Sequence, residues 1–310
     1  MTNRQIRLVH EYFHPWPNSA GFYLARERGW YSDAGIDLEF TLVDPAIGDG
    51  LHYLLRGDVH FAVFPSSRLL QRRDAGQPLL GIAAVNQRGL ETVRTTRRTG
   101  ITRMRDLEGK RIALNPTVRG VAIVRDLVSR DGGDPDLVTL VDAGTRELDA
   151  HDIEAGEVDA TYGSYWAWDN LLGDFPADQQ LAWNVDEHLG VGYHSYLLGT
   201  HDDIAAADPE LVRTFVEVTR RGFEAAAAEP GILGGLYEPV LPYFPRPVIA
   251  QSAELVSTTW LHDGAWGTMR EELLAPYSAW MAGHDIIHDP DIWRAATTSE
   301  FLTASARSNA

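Results

Sequence analysis

"RGDVHFAVFPS" at Arg56–Ser66 and "AGEVDATYGSY" at Ala155–Tyr165 carry the same pattern twice. Each runs from a helix end through glycine, an acid and valine into a short apolar strand. Each strand then opens into a loop of small or aromatic residues. The repeat predicts two similar lobes, each ending a strand at a common cleft.

The segments around the first copy support this. "IRLVH" from Ile6 alternates, "SAGFYLARERGWY" has helical spacing, and "IDLEFTLV" alternates again after a break at Gly35. A helix in "IGDGLHYLLRGD" leads into the first copy, and "SSRLLQRR" continues as another. Strands alternating with helices indicate an α/β fold with a mostly parallel, covered sheet. A crossing strand near Glu91–Arg97 opens the second lobe. A strand at Arg111–Leu114, a helix from about Thr117 and a strand in "LVTLVD" follow, and the chain is expected to cross back near Gly190–Leu198. The first lobe is therefore read as residues 1–94 plus 191–310, and the second as 95–190. After the proline-rich "YEPVLPYFPRPV", the stretches "AELVSTTWLHDGAW" and "EELLAPYSAWMAGHDII" read as closing helices packed on the first lobe.

Composition narrows the chemistry. The chain has 310 residues, 44% of them hydrophobic, enough for a sizeable core. A net charge of −17 argues against nucleic-acid or anionic-membrane binding, because phosphates are repelled. A small anion stays open, since a pocket can hold local positive potential. With no cysteine, disulfides, thiolate catalysis and cysteine–zinc sites are excluded. Lys110 is the only lysine and lies in a turn, where a solvated surface role is expected. No run is long and apolar enough for membrane insertion. "MTNRQIRLVH" shows no apolar leader segment, so a cytoplasmic location is expected. Phosphate-loop, HExxH and GxSxG patterns are missing, and no cofactor is expected. His284 and His288 have the spacing of a helical metal pair, but Pro290 follows, and a solvated helix end without metal is expected.

In open α/β sheets ligands bind beyond the carboxyl ends of the strands. That rule selects Tyr12, Phe13, His14, Trp16, Asn18 and Ser19 after the first strand, and Ser66 and Ser67 after the strand at His60–Val63. It selects Asn115, Thr117 and Arg119 after Ile112–Leu114, and Tyr162 and Trp166 at the second copy. Three of these loops start helices, whose free N–H groups attract anions. Ser66, Ser67 and Thr117 add hydroxyls, Arg119 could clamp an anion through two parallel bonds, and the aromatics supply flat walls. Each has a plainer role open to it: the serines as helix caps, Arg119 as a surface charge, Trp166 as packing, His14 as a hydrogen-bonded structural histidine. His60 is expected in the core or at a lobe interface.

Together, "GFYLARERGWYSDAGIDLEF", the "GDVHFAV" and "GEVDATY" turns and "ITRMRDLEGKRIAL" resemble type-II periplasmic binding proteins of the aliphatic-sulfonate, taurine and thiamine-pyrimidine class. The resemblance covers nearly the whole chain and implies two α/β lobes with a ligand cleft between them. Through "HPWPNSAGF", "ITRMRDLEGKRIALNPTVRG", "GEVDATYGSYWAW" and "WRAATTSEFLTAS" the chain is also similar to the desulfinase branch that cleaves hydroxybiphenyl sulfinate. Where that branch places its nucleophilic cysteine, this chain has His14; Arg56 lies near the position of its arginine. The pyrimidine synthases of the class are similar in outline, but their cysteine-rich motif is missing and their cofactor-holding lysine falls near Phe64. The resemblance implies an enzyme of lyase or hydrolase type acting on a small aromatic or heterocyclic acid. His14 would be the general acid/base or a donor to an anionic group, Arg119 and Ser66 would grip the anion, and Tyr12, Trp16 and Trp166 would sandwich the ring. The alternative it implies is a non-catalytic receptor of an ABC importer, with a permease as partner and a sulfonate, taurine or pyrimidine-type ligand.

Overall fold

Burial along the strands follows the sheet position each strand takes. A computed structural model describes residues 3–10, 15–44, 46–144, 146, 148–165 and 175–302. In chain order its main strands are β1 (Arg4–Val9), β2 (Ile36–Thr41), β3 (Phe61–Pro65), β4 (Leu79–Ala84), β5 (Glu91–Thr96), β6 (Arg111–Leu114), β7 (Thr139–Asp142), β8 (Ala160–Tyr165), β9 (Gln180–Asn184) and β10 (Tyr196–His201). β2 is an edge strand, burying Ile36 and Leu38 while Asp37 and Glu39 face water. β3 is central, and its Phe61–Phe64 run is buried throughout, as a strand covered on both faces requires.

The chain divides into two compact units. One comprises Met1–Arg88, Tyr193–Ala282 and Ile287–Ala310; the other comprises Gly89–Gly192 and Gly283–Ile286. The first holds a five-stranded sheet in the order β2-β1-β3-β10-β4, the second one in the order β7-β6-β8-β5-β9. β1 runs parallel to β2 and β3, while β10 is antiparallel to β3 and β4. The second sheet repeats this arrangement: β6 is parallel to β7 and β8, and β5 is antiparallel to β8 and β9. The two copies of the sequence repeat thus lead into β3 and β8, which hold the same place in their sheets. This is the two-unit α/β architecture expected from the sequence.

In each sheet the chain steps from the starting parallel strand to one side, then crosses to the other. The switch points therefore lie between β1 and β3, and between β6 and β8, where the loops diverge and leave a crevice.

The first unit's core is built on close helix contact. The helix Ala20–Glu27 packs on the long helix Pro209–Ala228, and both are glycine at the crossing. A Cβ at Gly222 would sit 2.1 Å from the carbonyl oxygen of Gly21. Phe22 meets Phe223 edge-on with ring centroids 5.1 Å apart, and Phe223 stacks on Trp266.

Three local expectations change. The helix in "IGDGLHYLLRGD" begins only at Gly50, because the Asp49 side chain accepts the His52 N–H as its cap. The helix in "AELVSTTWLHDGAW" ends at Ser257, and Leu261–His262 pairs with Ala265–Trp266 in a two-stranded ribbon. Asp263 and Gly264 form its turn, both with positive φ. The last long helix spans Glu271–Gly283 and stops before His284. His284 and His288 thus do not share a helix; His288 Nδ1 instead lies 2.9 Å from a carboxylate oxygen of Asp74.

Candidate functional site

At the first unit's switch point, the backbone after β1 is held by side chains from distant segments. Ser19 donates to the Trp16 carbonyl at 2.7 Å and lies 2.9 Å from the Tyr237 hydroxyl, which itself donates to that carbonyl. The side-chain helix cap expected of Ser19 is not formed. Asn18 exchanges two amide hydrogen bonds with Asn86, at 3.0 and 2.7 Å, and accepts from the Trp260 indole. Ser66 opens the helix Ser66–Asp74, and its hydroxyl donates to the His194 carbonyl at 2.5 Å. The neighbouring Ser67 is buried, and its carbonyl accepts from Gln71. Asn18, Ser19 and Ser66 are therefore occupied by internal bonds that fix this end of the sheet. Tyr12, Phe13 and His14 lie outside the described residues, as does Trp166.

Two histidines that the sequence reading passed over are buried here. His10 follows β1 directly, in contact with the rings of Phe22, Tyr23 and Phe40. Its Nε2 has no hydrogen-bond partner among the described residues. Burial, with the Arg26 charge nearby, pushes its pKa down to about 3. With Trp16, Asn18, Ser19, Phe22, Val63 and Tyr196 it borders a cavity of about 10 Å³, room for one water at most. His194 holds both ring nitrogens in bonds: Nδ1 donates to the Asn86 carbonyl at 2.8 Å, and Nε2 accepts from the Arg270 N–H. Burial pushes its pKa down to about 4. His60 precedes β3, and its Nδ1 accepts the Arg7 N–H at 3.1 Å.

The second unit's switch point is more open. A cavity of about 210 Å³ lies at the carboxyl ends of β6, β7 and β8. Ala113, Leu114 and Asn115 line it from β6, Thr161, Tyr162 and Gly163 from β8, and Ala143, Gly144, Arg146 and Leu148 from the segment after β7. Thr161 is buried, and its Oγ1 has no partner among the described residues. The Tyr162 hydroxyl donates to Glu91 Oε1 at 3.2 Å and accepts from Arg119 at 3.3 Å. Arg119 and Glu91 form a two-pronged ion pair, at 2.5 and 2.8 Å. Arg119 makes its two parallel bonds within the chain, to Glu91, where the sequence suggested a ligand anion. Thr117 caps the helix Val118–Arg130 by accepting the Gly120 N–H at 3.0 Å. Arg146 is paired with Asp152 at 2.6 Å and Glu157 at 2.9 Å.

Asn115 and Tyr162 were legible from the strand-end rule. Thr161, Glu91 and Arg146 were not singled out; Thr161 at least sits in the second copy of the repeat, one residue before Tyr162. Among the described residues, no group of three or more histidines and carboxylates could hold a metal ion, and no helix is long and apolar enough to cross a membrane.

Comparison with known proteins adds the family. The family described as NMT1/THI5 like matches residues 16–231. The 4-amino-5-hydroxymethyl-2-methylpyrimidine phosphate synthase of Legionella pneumophila is 23% identical, covering 80% of this chain and 82% of its own. The formylaminopyrimidine-binding protein of Halalkalibacterium halodurans is 20% identical, covering 92% of this chain and 87% of its own. The periplasmic aliphatic sulphonate binding protein SsuA from Escherichia coli shares the fold, with a TM-score of 0.70 at 14% identity over 94% of this chain and 97% of that one.

Proposed function

The chain belongs to the NMT1/THI5-like family, and on that footing we propose that it binds a small, single-ring aromatic or heterocyclic molecule at the carboxyl ends of β6 and β8. One observation carries the reading: Thr161, whose buried hydroxyl is without a partner among the described residues, lines a cavity of about 210 Å³ at a strand-order switch point. Buried polar groups almost always find partners, and an unpaired one on a residue that lines a cavity supports a guest there. Pockets for drug-sized ligands run to about 300–1,000 Å³, so this volume suits one substituted ring. The pyrimidine named for both curated relatives is of that size class and supports the reading.

Thr161→Val tests it by separating ligand binding from stability. Removing an unpaired buried hydroxyl leaves the free protein as stable or slightly more so. A thermal-shift panel of substituted pyrimidines, thiazoles and aryl sulfinates is expected to raise the wild-type melting temperature with at least one member. The same member is expected to give at least a threefold weaker Kd for Thr161→Val in calorimetry. Unchanged affinity in the variant contradicts the placement.

A second reading adds turnover. The desulfinase resemblance around His14 and the synthase among the relatives favour lyase- or hydrolase-type chemistry in the cytoplasm. Product release from an aryl sulfinate or a pyrimidine, followed by mass spectrometry, separates that enzyme from a receptor working with a permease; fractionation of cells locates it.

A further inference from the structure

Resting on that reading of the second unit's cavity, we infer that Glu91 is its specificity-determining residue: by occupying Arg119, it makes the site select an uncharged heterocycle over an anionic one. Arg119 sits in the first turn of the helix Val118–Arg130, one bond from the cavity wall through the Tyr162 hydroxyl. Alone, an arginine at a helix N-terminus beside a switch point would grip a carboxylate or sulfonate. Here both of its terminal nitrogens already hold carboxylate oxygens of Glu91.

The side chains are 13% and 12% exposed, so solvent does little to loosen the pair. Pulling Arg119 away toward a ligand anion would leave the desolvated Glu91 carboxylate without its guanidinium partner beside that same anion, which is strongly unfavourable.

Arg146, on the cavity wall, offers no replacement. It is bound to Asp152 and Glu157, and its 58% exposure screens its charge. Among these described residues, two guanidiniums are thus paired with three carboxylates. Of the described lining residues, Thr161 and Asn115 carry uncharged polar side chains, a hydroxyl and an amide, that can each donate and accept. They match a planar nitrogen heterocycle whose ring nitrogen accepts and whose amino group donates. The anionic ligand expected from the sequence alone is disfavoured on these grounds.

Calorimetry with 4-amino-2-methylpyrimidine and its 5-carboxylate tests the assignment. Wild type is expected to bind the uncharged probe at least tenfold more tightly. In Glu91→Gln, which frees Arg119, the carboxylate should gain enough affinity to bring that ratio below threefold. The double variant Glu91→Gln/Arg119→Gln removes both charges and is expected to retain at least a tenfold preference, which also covers the case of a single variant that fails to fold. Preference of wild type for the carboxylate, an unchanged ratio in Glu91→Gln, or loss of the preference in the double variant overturns the role of Glu91 while leaving the site standing. Binding of neither probe to wild type overturns both the role and the site.

Discussion

His10 and His194 are held neutral by burial, and this makes the first unit sensitive to acid. Their pKa values of about 3 and 4 lie below the ordinary 6.5. Below 6.5 the unfolded chain takes up protons that the folded chain refuses, so unfolding gains on acidification. The contribution is complete above pH 6.5 and is lost as the pH falls toward 4 for His194 and 3 for His10. Each histidine removes about 1.4 kcal/mol of stability per pH unit inside its window. Urea midpoints at pH 7 and pH 5 are expected to show this loss, with His60, whose pKa burial also lowers, adding in the same direction, and His10→Phe should reduce it. Equal pH dependence in wild type and variant would contradict the buried neutral state. No spacing rule identifies these residues, since one histidine beside a strand has the same sequence signature whether it is buried or bound to a ligand. Their state is set by Phe22, Tyr23 and Phe40 around one ring and by Asn86 and Arg270 around the other.

Among the elements, the contact between helices Ala20–Glu27 and Pro209–Ala228 is the tightest constraint on substitution. An alanine at Gly222 gains about 1 kcal/mol of helix propensity, but its methyl would lie 2.1 Å from the Gly21 carbonyl oxygen. Backbone must move to relieve that overlap, and overpacking of this kind costs about 1–3 kcal/mol. Gly222→Ala is therefore expected to lower the urea midpoint despite the better helix former; a raised midpoint would show that the helices are not so closely apposed. The elements also show where pattern reading succeeds. The strands after "GDV" and "GEV" were legible because a helix end, a glycine turn and an apolar run are all local signals. The hairpin at residues 261–266 was missed because Leu255, Val256 and Trp260 keep helical spacing up to its edge. Asp263-Gly264, with positive φ at both residues, was the competing local signal, and it prevails.

For the whole molecule, the repeat in the sequence becomes a repeat of topology. Two sheets with the same strand order each place a switch point at the carboxyl ends of their parallel strands. The first is filled by Trp16, His10 and Tyr196, and the second retains a cavity of about 210 Å³. Asn115 and Tyr162 were legible as wall residues because the strand-end rule depends only on element order. The Glu91–Arg119 pair was not, because residues 28 apart meet only after β5 and β8 pair in the sheet. That pairing is the basis for proposing an uncharged ring where the sequence alone suggests an anion-gripped acid. The most direct measurement is a crystal structure with a 5-bromopyrimidine that binds in calorimetry, located by the anomalous signal of bromine. A single bromine peak is expected inside the cavity of the second unit, with a ring atom within hydrogen-bonding distance of Thr161 Oγ1. A bromine peak outside that cavity, with the Thr161 hydroxyl still unpaired, would contradict it.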